Sequence, residues 1–293
     1  MALNKEVWVS QILEGFYPDD SFLKPVLDFS ALVDNNKLHI AAAGIDPQVL
    51  INNTTYPIKV VGREDTDNEI ALDKFESENT IVRRPDAIEY SYDKLESVIR
   101  QHRATLRKAV SVKAAHAFAP AEDTTDTPVL TTTGETVGKR KRLCLDDILT
   151  LKERFDDAQI PLEDRYIILQ SKHVSDLLRE DVKLFKDITD IRAGQPFRFA
   201  GFGFYAFPQM PAYRLTDGKL KKVAFGEETQ ETDLFASVAF YAKEVMKADG
   251  EIYMYYTEDD PKERGTIVGF DKRFVALPVR GKGVGAIVSA SVE

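Results

Sequence analysis

The longest periodic stretch of this chain runs from Ser91 to Phe118, where Leu95, Val98, Ile99, His102, Leu106, Ala109 and Val110 recur at helical spacing. Ser91 or Asp93 can cap its start, and Pro120 stops it. The opposite side carries Arg100, Arg103, Arg107, Lys108 and Lys113, so the pattern predicts one long amphipathic helix with a basic face. Further helices are expected at Leu145 to Ala158, ended by Pro161, and after Ser171 as a cap, with Val174, Leu177 and Leu178 buried. A last helix is read from Ala236 to Lys247.

From Lys37 to Arg84 the period changes to two: "KLHIAA", "QVLIN", "YPIKVV" and "EIALDKF" are separated by polar, turn-forming runs. These read as β-hairpins with few core residues, hence as a protruding element. Strands are also expected at Tyr166 to Leu169, Glu251 to Tyr256 and Phe274 to Val279, and a short hairpin around Val129 and Leu130 within a Thr-rich loop. Helices and strands alternate only partly, which favours the α+β class. The segment "AGFGFYAFPQMPAY", Ala200 to Tyr213, alternates large with small residues. It fits a strand buried on both faces, or a surface completed by another subunit. Near the N-terminus, Trp8, Phe16, Tyr17, Phe22 and Phe29 are interrupted by Pro18 and Pro25, the texture of an extended arm with aromatic anchors or of a segment packed on its own domain.

Charge alters this picture in one respect. The 293 residues carry 39 basic and 48 acidic side chains, a net charge of -9, which argues against a protein that coats nucleic acid over its whole surface. The acids concentrate between Gly62 and Asn79, while Arg83 to Lys113 is net basic. No stretch is long and apolar enough for a bilayer-spanning helix. The single cysteine, Cys144, allows no intramolecular disulfide and fits synthesis in a reducing cytosol.

The sequence gives little support to catalysis. "GETVGKR" has one residue too few between its glycines for a phosphate-binding loop, and Arg140 stands where a magnesium-binding hydroxyl is needed. His39, His102, His116 and His173 do not fall at metal-ligand spacing. Cys144 lies between "GKRKR" and a helix start, where cations and the dipole can lower a thiol pKa, yet no histidine partner is identifiable. No cofactor, metal or catalytic residue is therefore assigned.

The order of parts, with "EGFYPDDSFL", "FDDAQIPLEDRYIILQSKHVSDLLRE" and "FRFAGFGFYAFPQMP", resembles the major capsid proteins of tailed bacteriophages, the Hong Kong 97-type fold. Pro161, Arg165, Tyr166 to Leu169, Leu177, Leu178, Gly201 and Pro208 carry the likeness. The resemblance implies an α+β chain with an N-terminal arm at 1–36, an extended β-hairpin loop at 37–84 and a peripheral-domain spine helix within 85–120. Segments within 235–280 would complete the peripheral domain, and 121–293 would be mainly axial domain. It further implies a structural protein made in the bacterial host cytoplasm. Pentamers and hexamers of it would assemble into an icosahedral virion shell around double-stranded DNA, touched weakly and non-specifically, with no membrane partner. Because the chain starts almost at the arm, scaffolding is expected to be a separate protein or unnecessary, and a portal protein is a further expected partner. Trp8, Phe16, Tyr17, Phe22, Asp65, Asp67, Glu69, Arg100, Arg103, Arg107 and Tyr205 are the expected assembly contacts, the acidic loop docking on a neighbour's basic helix face. The alternatives are an encapsulin-like compartment and a cytosolic α+β enzyme.

Overall fold

The structure, a computed structural model, describes residues 9, 12–13, 16–18, 20–42, 66–83, 93–189, 191 and 195–292. Short strands β1 (Leu27–Asp28) and β2 (Val33–Asp34) lead into an antiparallel pair, β3 (Lys37–Ala42) and β4 (Thr66–Ala71), with Leu38 opposite Ile70. As the two-residue period requires, Leu38 is buried, beside Leu72, Met246, Ala248 and Val275. Two further strands, β5 (Asp73–Glu76) and β6 (Thr80–Arg83), leave this protrusion and pair with β17 (Gly265–Pro278). The end of the expected loop, Asp73 to Arg83, is thus part of a sheet.

Helix α1 (Asp93–Phe118) forms where the 3.6-residue pattern places it, and buries Val98, Ile99, His102, Leu106, Val110 and Phe118. It lies against β17 and β16 (Val245–Asp260), a long antiparallel ribbon. The expected strands at Glu251 to Tyr256 and Phe274 to Val279 are pieces of this ribbon, whose register shifts between Asp249 and Ile252. The polar loop contains β7 (Val129–Thr131), β8 (Thr136–Val137) and β9 (Arg140–Lys141). The hairpin there is β8–β9, turning at Gly138 with φ 62°, and not at Val129 and Leu130. Those two residues pair in parallel with β18 (Val284–Val288).

Helix α2 (Leu145–Asp157), strand β10 (Arg165–Leu169) and helix α3 (Ser171–Glu180) follow as expected. The α3 cap is the Gln170 side chain, which accepts from Lys172 N at 2.8 Å, one residue before the expected Ser171. After α4 (Val182–Phe185) come β11 (Arg198–Phe199), β12 (Phe202–Ala206), β13 (Ala212–Thr216) and β14 (Lys219–Lys222). The helix expected from Ala236 to Lys247 is instead β15 (Leu234–Tyr241), a single turn at Ala242–Glu244, and the start of β16. "LFASVAFY" is apolar on both sides, so its pattern offers no period, and its β-branched and aromatic residues suit a central strand.

That sheet runs β11-β12-β10-β15-β13-β14, with β18 and β7 on the other edge of β15. Its faces separate two cores. Ile167, Leu169, Phe202, Phe204, Ala239, Tyr241 and Ile287 meet α2 and α3, while Ile168, Tyr205, Val238, Phe240 and Ala286 meet α1 and the N-terminal segment. The large–small alternation of "FGFYAF" is thereby explained: Phe202 and Phe204 fill the α2–α3 side, and Gly203 and Tyr205 face the other.

Candidate assembly surfaces

Buried polar groups fix the frame on which any surface is presented. Arg165 is fully buried and donates from Nε to the Pro161 carbonyl at 2.9 Å, and from Nη2 to Asp156 Oδ1 at 2.7 Å and to the Ile160 carbonyl. It thus closes the exit of α2, where a cation suits the negative helix end. Its guanidinium also lies 5.6 Å from the Phe155 ring and 5.8 Å from the Phe202 ring. His173 on α3 is buried between Ser237 Oγ at 2.7 Å and Ser289 Oγ at 2.8 Å, tying the helix to β15 and the end of β18. Burial pushes its pKa down to about 4. Arg140 grips Asp176 through two bonds of 2.5 and 2.8 Å, so the "GKRKR" rim is anchored to α3.

The N-terminal aromatics are placed against the chain's own body. Phe16 and Phe22 are buried in the core shared with α1, and Phe22 meets Phe118 and Phe207 edge-on. Phe16 and Phe22 are therefore not exposed anchors, because a single chain already offers them enough apolar surface. Tyr17 donates its hydroxyl to Asp249 at 2.8 Å, and its ring lies 3.9 Å from Lys247 Nζ. Lys272 Nζ sits 4.7 Å over the Phe16 ring and 2.5 Å from Asp249 Oδ1. Two almost fully buried lysines are thus held by two rings and two carboxylates, Asp249 beside Lys272 and Asp28 at 3.7 Å from Lys247. Sequence reasoning missed this socket; its one signal was a lysine interrupting each of two apolar strands, "VMKA" and "GFDKRF". Trp8 lies outside the described residues.

On α1, Arg100 is exposed and Arg103 and Arg107 are half-buried, forming the expected basic face. Of the acidic segment, Asp65 lies outside the described residues, and Asp67 is placed only as a backbone position of β4, opposite Ala41. Glu69 pairs with Lys37 across the β3–β4 ladder. Asp73 pairs with Lys113 of α1 at 3.3 Å, so one acid–base meeting of the two segments occurs inside the chain. Tyr205 is buried, its ring 5.6 Å from Tyr166, and burial pushes its hydroxyl pKa up to about 12.

Chemistry of the catalytic kind is not assembled among the described residues. They contain no group of three or more metal-ligating side chains. Cys144 is the N-cap of α2, and its thiol pKa is raised by burial, opposite to the expectation of an activated thiol. Desolvation outweighs the hydrogen bonds that the thiol receives from the Thr133 hydroxyl and the Asp147 backbone, with the Asp147 carboxylate also acting against the thiolate. No helix among the described residues is long and apolar enough to cross a membrane.

No protein-family model matches this sequence, and no curated protein does. Solved structures do. The capsid of cyanophage P-SCSP1u matches with a TM-score of 0.61 and 16% identity, covering 92% of this chain and 87% of that one. The capsid of Ralstonia phage GP4 matches at 0.62 and 8% identity, over 94% and 88% of the two chains. A virus-like particle from Pyrococcus furiosus matches at 0.57 and 11% identity, over 97% and 99%. A mixed α+β chain of this topology has the architecture found in shell-forming proteins. More narrowly, it is the Hong Kong 97-type capsid fold, as the resemblance implied.

Proposed function

We propose that this protein is the major capsid protein of a tailed bacteriophage, a structural subunit that is not an enzyme. The observation that carries the reading is the likeness to phage capsids, which extends over nine-tenths of the chain. In this reading pentamers and hexamers close into an icosahedral head around double-stranded DNA, met weakly and without sequence preference because the chain carries a net charge of -9. Rings of five and six require the same surfaces in slightly different settings. The β3–β4 pair supplies an adaptable contact, and the acids of the expected loop, Asp65, Asp67 and Glu69, dock on Arg100, Arg103 and Arg107 of a neighbour. Separate scaffolding and portal proteins complete the assembly, and the finished protein resides in the virion after synthesis in the host cytoplasm.

Electron microscopy with sedimentation of the full chain, concentrated at near-physiological salt, tests the proposal. Shells, tubes or rings of five and six subunits are expected. A compact small oligomer, unchanged when concentrated, would overturn it and favour the enzyme reading. The match to the Pyrococcus furiosus virus-like particle, which spans 99% of that chain, supports a second reading as an encapsulin-like compartment. Nuclease-protected DNA in particles from an expressing host favours the head, and a co-purifying protein cargo favours the compartment.

A further inference from the structure

The side of the β12 strand that faces away from α2 and α3 builds a cleft. Arg198, Gly203, Tyr166 and Phe240 stand in one register row across β11, β12, β10 and β15, so their side chains share a face. Gly203 leaves the space between Arg198 and Tyr166: a Cβ there would lie 2.8 Å from Tyr166 Cδ1. Across that gap the Arg198 guanidinium sits 5.9 Å over the Tyr166 ring. Tyr205, two residues on, turns into the same cavity of about 400 Å³, and Lys24 from the N-terminal segment lines it too.

Three features of the cleft point to an anionic occupant. Arg198 is exposed and forms no ion pair among the described residues, so its five N–H donors are only partly used by the stacked ring. Tyr205 lines the cleft, and its hydroxyl makes no hydrogen bond to another of the described residues. With a pKa of about 12 it stays protonated and able to donate. The one acid among the described lining residues, Asp164, is held by Lys243 at 3.2 Å, so the Arg198 charge leaves the cleft positive on an acidic protein.

We propose that this cleft accepts a carboxylate side chain from a second copy of the chain, with Arg198 as the charged partner and the Tyr205 hydroxyl as the positioning donor. The second copy is favoured by charge: a protein of net charge -9 presents acids on most of its own surface, and a positive cleft is where two such copies attract rather than repel. The inference rests on the shell reading above.

The test uses the full chain. Arg198→Glu should raise the protein concentration for half-assembly by about tenfold or more, and Tyr205→Phe, which keeps the ring, by about threefold. Thermal unfolding of both unassembled variants should match the unaltered protein. In Arg198→Lys particles, a carbodiimide should join residue 198 to an Asp or Glu of another copy, identified by mass spectrometry of mixed isotopically labelled chains. Unchanged assembly of both variants, or a link only to Asp164 of the same copy, would overturn the proposal while leaving the shell reading intact. Normal assembly with loss of bound DNA alone would instead assign the cleft to phosphate and overturn it equally. Failure of the unaltered chain to assemble would overturn the shell reading and this inference with it.

Discussion

The two largest sheets among the described residues are finished in different ways. The β10–β12–β15 sheet is covered by α2 and α3 on one face and, apart from the cleft beside Arg198 and Tyr166, by α1 and the N-terminal segment on the other. The β16–β17 ribbon is covered on both faces only near its base, where Met246, Ala248 and Val275 pack on Leu38 and Leu72; farther out Met254, Tyr256 and Phe270 meet the α1 core, while Tyr253 and Tyr255 on the opposite face stay 49% and 53% exposed. On that outer side Tyr255 donates to Asp271 at 3.0 Å, and Lys74 lies 3.4 Å from the same carboxylate. The difference separates a frame, where each side chain is fixed by neighbours on both sides, from a surface whose polar pairs can exchange partners at little cost.

The largest break of this comparison is expected at Phe204, buried against Phe197 in a ring contact of 5.9 Å. Phe204→Ala should cost about 4 kcal/mol in urea unfolding, because the surrounding sheet and helices relax only partly into the cavity. Next comes His173, with Asp176, Arg140, Asp147 and Lys172 as its charged neighbours. Its folded pKa of about 4 lies below the ordinary 6.5, so between those values the unfolded chain binds the extra proton. Its contribution is fully present above pH 6.5 and falls away as the pH drops towards 4, by roughly 3 kcal/mol in all. Urea midpoints measured from pH 4 to 8 should show this slope, and His173→Gln should flatten it. A smaller effect belongs to the socket: Tyr17→Phe removes the bond to Asp249 and should cost about 1.5 kcal/mol, read by the same denaturation. On the ribbon's outer face, Tyr253→Ala should change monomer stability by less than about 0.5 kcal/mol. A loss as large as that at Phe204 would show that the outer face is part of the frame after all.

The same contrast explains what could be read from the sequence. Helices α1, α2 and α3 were legible because each has one apolar and one polar side, and Pro120 and Pro161 end the first two. Strand β15 was not, since a strand buried on both faces loses the alternation that identifies it. Ribbon β16–β17 was legible only in pieces, because Lys247 and Lys272 occupy inward positions and are acceptable there through Tyr17, Phe16, Asp28 and Asp249. The cleft was half visible. Gly203 and Tyr205 stood out in "FGFYAF", but Arg198 and Tyr166 join them through strand register, which is fixed by pairing between distant segments. Lys24 arrives from still farther along the chain, with the N-terminal segment.

Helix α1 joins the two sheets through one core: Ile99 and Leu106 lie with the ribbon's Phe270, and Phe118 lies 5.4 Å from Phe240 of β15. Lys222 holds its far end by donating to the His116 carbonyl at 3.0 Å and to that of Ala119. A helix of 26 residues is about 39 Å long at ~1.5 Å per residue, so tilting it by about 5° about one end displaces the other by roughly 3 Å. Mechanically it is a lever: a rotation small enough to leave side-chain contacts near its pivot intact is delivered at the opposite end as a shift of atomic size.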